Sequence, residues 1–185
     1  MDAAAFYRAA RIVKPAMPKP DDIWQELLRE ARKRALSDGK ESVAEYLELR
    51  SRNDHLRSLA IEWLAGIFVE EALSGILNSP PEIERIEPHR FEYERARHTG
   101  VMHKIQFGVR SLLLEAGWPR NHDDGILYGG ALAVGRLTHP GMPKMNYSLA
   151  LLEDSGRPVW FAGKPEGVRM PVDTLFVRRH ILALA

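Results

Sequence analysis

The sequence contains no cysteine. That absence removes disulfide scaffolds, thiolate zinc sites, iron–sulfur clusters and cysteine nucleophiles. No long uncharged apolar run is present either: the most apolar stretch, Leu56 to Leu77, carries Arg57, Glu62, Glu70 and Glu71. It reads as a buried helix rather than a membrane span. The first residues, Met1-Asp2-Ala3-Ala4-Ala5-Phe6-Tyr7-Arg8, lack the basic-then-apolar order of a signal peptide, so a cytoplasmic location without membrane association is expected. Catalytic strings are also missing. No Gly-rich segment continues into Lys-Ser/Thr, none carries the dinucleotide fingerprint, and no serine sits in a Gly-x-Ser-x-Gly elbow.

What remains is 185 residues, 45% apolar and 28% charged. That is enough for one well-packed core and too little for two large domains. The net charge of +1 is a cancellation: residues 1–20 sum to +3, residues 21–99 to −5 and residues 100–185 to +3. Of the 26 basic residues 19 are Arg, whose planar fork suits phosphate, carboxylate and stacked bases.

Hydrophobic periodicity predicts helices in the first two thirds. Asp2 to Val13 reads as a short helix ended by Pro15, Pro18 and Pro20. From Asp21 or Asp22 onward, Ile23, Trp24, Leu27, Leu28, Ala31 and Ala35 share one arc of about 140°, and Asp38-Gly39 closes that helix. A third helix is expected over Ser42–Arg52 and a fourth from Asn53 or Asp54 to Leu77. In the fourth, Leu56, Leu59, Trp63 and Leu64 share one arc, and after Gly66 the arc of Phe68, Val69, Ala72, Leu73, Ile76 and Leu77 is rotated by roughly 160°. Either the helix breaks at Gly66 or it stays straight, with different neighbours on opposite sides; the second, a central helix of a bundle, is the reading adopted. Residues 82–98 fit a strand pair or a short helix. Thr99 to Ala116 is expected as a helix with a core stripe of Val101, Met102, Ile105, Val109, Leu112, Leu113 and Ala116, and a second stripe of His103, Phe107, Arg110 and Leu114.

Eight of the 14 Gly and six of the 12 Pro lie in residues 118–185. Asn146–Leu152 and Pro158–Ala162 read as strands joined by the turn Glu153–Arg157, with a third strand near Val168–Met170. The period of Leu175–Leu184 decides nothing between helix and strand. The expected fold is therefore α+β in a single domain, 1–185: an α-rich N-terminal helical bundle (21–117), then a small antiparallel sheet in the Gly/Pro-rich C-terminal third (118–185).

Three functional readings follow. The first is a non-enzymatic nucleic-acid-associated or accessory subunit with no cofactor. Its basic C-terminal surface, Arg120, Arg136, Lys144, Arg157, Trp160, Lys164, Arg169, Arg178 and Arg179, would neutralise phosphate and stack on bases of DNA or RNA. The second is a metal-dependent hydrolase. His98, His103, His122, Asp123 and His139 are ligand types for zinc, manganese or iron. The His122-Asp123 doublet resembles that of histidine–aspartate phosphohydrolases, which implies divalent-metal chemistry; in that family the doublet ends an apolar helix, whereas here it follows the loop Gly117–Asn121. The third is a protein-interaction module, binding a protein partner or a second copy through the stripe of His103, Phe107, Arg110 and Leu114 or through the glycine-rich string Gly125–Gly135. Close packing of backbone is the simpler use of those glycines.

Overall fold

The computed structural model describes residues 20–127, 129–163, 167 and 169–185. The expected helix over 2–13 lies outside them. Two compact units divide the chain, Met1–Ser51 and Arg52–Ala185.

In the first unit, helix α1 (Pro20–Ser37) turns at Asp38-Gly39 into α2 (Glu41–Leu73). Gly39 takes φ 69°, and Lys40 N–H bonds back to the Ala35 carbonyl at 2.8 Å. The helix thus ends in a left-handed residue, a geometry glycine adopts without steric cost. Leu28, Ala35 and Ala44 are buried between the helices, Arg50 lies over the Trp24 ring at 5.0 Å, and the Gln25 side chain bonds to Ser51. Two helices cannot cover the whole 140° arc of α1, so Ile23 and Leu27 stay exposed, as do Val43, Tyr46 and Leu49 of α2.

The second unit departs from the expected bundle. A seven-stranded antiparallel sheet occupies residues 82–171, in the sequential order β1 (Glu82–Tyr93), β2 (Ala96–Phe107), β3 (Arg110–Trp118), β4 (Ala133–Thr138), β5 (Tyr147–Asp154), β6 (Arg157–Gly163) and β7 (Arg169–Pro171). The seven strands hold 57 of the described residues. The sheet is the C-terminal half of the molecule, not a small final third, and the helical part stops at Leu73 rather than at residue 117. Helix α3 (Thr174–Leu182) ends the fold, with the Asp173 carboxylate accepting the Phe176 N–H at 2.8 Å as its N-cap.

The helix expected over 99–116 is two strands. Residues 101–116 satisfy both periods on paper, but they pair Val101 with Ala116, His103 with Leu114 and Ile105 with Leu112. The buried set therefore alternates at period two. Gly108, at φ 58°, makes the turn between the strands. Val109, assigned to a helical core stripe, sits on that turn fully exposed. The presumed second stripe is likewise a product of the register: His103 faces Leu114, and Phe107 faces Arg110.

One sheet face packs against α2 and α3. Ile61, Leu64, Phe68 and Ala72 of α2, with Phe176, Val177 and Ile181 of α3, share a core with Ile105, Leu112, Leu137, Leu149 and Trp160. The remaining outer face carries His89, Phe91, His98, Glu115, Arg136 and Arg169 by register.

Candidate docking site

Helix α2 runs unbroken through Gly66. The rotated apolar arcs in its sequence therefore describe a straight helix with two apolar sides, but no bundle surrounds it. Phe68, Ala72, Ile76 and Leu77 of the later arc, together with Ile61 and with Leu64 of the earlier one, seat on the sheet, whereas Leu73 stays exposed. The rest of the earlier arc points away, leaving Leu59 58% and Trp63 53% exposed. Between this side of α2 and the start of β6 lies a groove of about 550 Å³, walled by Leu56, Leu59, Ala60, Trp63, Pro158 and Val159. Trp160 forms its inner end, and Arg52 and His55 stand at its rim. Two hydrogen bonds join the helix to the sheet side: the Trp160 indole N–H donates to the Ala60 carbonyl at 2.9 Å, and Arg57, paired with Asp54 on the same helix at 2.7 Å, donates to the Leu132 carbonyl at 2.7 Å.

The exposed apolar side chains are concentrated on the helices. Of the 14 large hydrophobics that stay exposed among the described residues, nine belong to α1 and α2: Ile23, Leu27, Leu36, Val43, Tyr46, Leu49, Leu59, Trp63 and Leu73. Single exposed apolar residues need no explanation; of these nine, Leu59 and Trp63 line the groove.

The basic set does not form one patch. Trp160 is 1% exposed, filling the core opposite Leu151, so it cannot stack on a base. Arg136 and Arg169 lie on the outer face by register. Arg178, with Glu71 at 3.7 Å, and Arg179 lie on α3, across the sheet. Arg120 covers the Trp118 ring at 3.5 Å and donates to the Thr99 carbonyl at 3.4 Å. Arg157 opens β6 at the hairpin, and Lys144 sits in the short turn Pro143–Met145. Lys164 lies outside the described residues.

The metal set is also dispersed. His98 and His103 are five apart on one strand, which directs them to opposite faces. His139 is in the core, 2.9 Å from His180, and His122 and Asp123 are exposed in a single 3-10 turn. Among the described residues no group of three or more His, Asp or Glu could hold a metal ion. Nor is any of the described helices long and apolar enough to cross a membrane.

The glycine-rich string serves packing and turns. A Cβ at Gly135 would lie 2.4 Å from the Glu115 carbonyl oxygen, and one at Gly125 2.9 Å from the Ala96 methyl. Sequence reasoning missed a polar cluster on the outer face. His89 Nε2 meets Glu115 Oε1 at 2.7 Å, Arg136 Nε donates to Glu115 Oε2 at 2.9 Å, and the His89 ring stacks on Phe91. Gly100 makes this contact between β1 and β3 feasible, because β2 places no side chain between them there. No spacing signal joins residues 26 apart; only the strand register does.

No protein-family model, curated protein or solved structure matches this chain.

Proposed function

We propose that this protein is a non-enzymatic docking subunit, with the sheet as its rigid platform and the groove between α2 and β6 as its contact site. The observation that carries the reading is the uncovered apolar stripe of Leu56, Leu59 and Trp63, set on a helix whose other side is locked into the core. Grooves of this kind take an amphipathic helix presenting apolar anchors at i and i+4. Arg52 and His55 on the rim favour acidic flanks. Helix α1 has that pattern: Ile23 and Leu27 are exposed four residues apart, with Glu26 and Glu30 beside them. The occupant is accordingly α1 of a second copy, and two reciprocal insertions about a two-fold axis would close the assembly as a dimer.

The test addresses both halves of the contact. Leu27→Asp on α1 and Trp63→Asp in the groove should each abolish self-association measured by light scattering, with the circular dichroism spectrum unchanged. Loss from one substitution alone would mean that α1 is not the occupant.

A nucleic-acid reading retains one supporting observation, the exposure of Lys144, Arg157, Arg169, Arg178 and Arg179. Of the three aromatics in that basic region, Trp160 and Tyr147 are buried and cannot stack on a base, which leaves the half-buried Phe161. Its mark would be binding to single-stranded DNA or RNA that weakens steeply with salt; charge reversal at Arg178 and Arg179 should remove that binding and leave self-association intact.

A further inference from the structure

His98 is 1% exposed, and neither ring nitrogen has a partner in full hydrogen-bond geometry, the ring's one backbone interaction being with Tyr93. A buried polar group left in this state is costly. The ring is held in place from both sides: it stacks on Phe91 with centroids 5.3 Å apart and meets Tyr93 edge-on at 6.2 Å. It borders a cavity of about 70 Å³ on the outer face of the sheet, enclosed by Tyr93, Leu127, Val134, Ala150 and Leu152. Glu94 and Arg169 also line this cavity. Among the described residues these two charges offset each other, and the side chains beside them are apolar but for the Tyr93 phenol.

We propose that this cavity is a binding site for a small, neutral, largely apolar molecule bearing one hydroxyl, such as a short alcohol or a phenol, with His98 as its hydrogen-bonding anchor. A hydroxyl both donates and accepts, so it satisfies a neutral imidazole in either tautomer. A carboxylate fits less well, because Glu94 offsets the one cation. Burial holds the His98 ring neutral, outweighing the Tyr93 backbone and the Asp124 and Glu94 carboxylates, which favour its protonation. The volume is that of a few atoms' reach, since a single water needs roughly 10–15 Å³ on this scale. This site lies on the outer sheet face and is independent of the groove reading.

The experiment is a titration of the ¹⁵N-labelled full chain with phenol, 1-butanol and butyrate, following by NMR the His98 ring nitrogens and, in wild type and variant alike, the backbone amides of Val134 and Ala150, which line the same cavity. Saturable shifts with phenol or 1-butanol, and none with butyrate, are expected. His98→Phe, which preserves the stacking, should weaken binding about tenfold, the value of one lost hydrogen bond. Where His98→Phe fails to fold, His98→Leu, which also has no hydrogen-bonding group, gives the same comparison. Absence of any saturable shift, unchanged affinity in the variant, or preference for butyrate would each overturn the proposal.

Discussion

Acid should unfold this protein through its buried histidines. His98, His103 and His139 are 1%, 5% and 1% exposed. Burial lowers the pKa of all three below the ordinary 6.5, aided at His103 by the nearby Arg85 guanidinium and opposed there by Glu62 and Glu87. The folded chain therefore keeps these rings neutral at a pH where the unfolded chain protonates them. Stability is fully present above pH 6.5 and is lost as pH falls from 6.5 through the lowered folded values, because unfolding then takes up protons. Each such group contributes a slope of about 1.4 kcal/mol per pH unit within that window. Three together approach roughly 4 kcal/mol per unit, against a typical total stability of about 5–15 kcal/mol. The assay is urea unfolding followed by circular dichroism at half-unit steps from pH 7.5 to 5.0, with the midpoint falling steeply below 6.5 and the m-value constant. Replacing His139 by Asn should reduce the slope by about one third. A midpoint that stays flat between pH 7 and 5 would refute the reasoning.

Other outcomes follow from packing. Gly100→Ala places a Cβ 1.9 Å from the Ala116 carbonyl oxygen and 2.6 Å from Gly117 Cα; because the obstacle is strand backbone rather than a movable side chain, the cost should be roughly 4 kcal/mol or more, seen as a collapsed melting temperature or insoluble expression. Phe68→Ala empties a fully buried site between α2 and the sheet and should cost about 3–5 kcal/mol by chemical denaturation. Asp173→Ala removes the carboxylate that accepts the Phe176 N–H and should cost about 1 kcal/mol, readable as a small fall in urea midpoint.

Parts of this fold were legible in the sequence for identifiable reasons. The hairpin of β5 and β6 carries Ser155-Gly156 at its turn, and alternation on both flanks left one reading. Helix α1 was equally plain, since its polar and apolar sides are separated. Residues 99–116 misled because Val101, Ile105, Leu112 and Ala116 satisfy a helical projection as well as a strand, and only long-range pairing with β1 and β4 decides between them. The basic set was misjudged at Trp160 because composition cannot tell a stacking platform from a core residue; register did so. The rotated arcs of α2 held the most information. The bundle read from them is absent: Leu64 of the earlier arc joins the core and Leu73 of the later arc is exposed, and the sequence alone could not say which apolar residues find a neighbour within the chain.

That uncovered side is the central claim, and sedimentation equilibrium of the wild-type chain beside Leu59→Asp tests it most directly. The account predicts a reversible monomer–dimer equilibrium for the wild type at micromolar concentration and a monomer for the variant, with equal helicity and a stability change within about 0.5 kcal/mol. A wild-type chain that remains monomeric at about 100 µM, well above the micromolar affinity range, or a variant that dimerises as the wild type does, would contradict it.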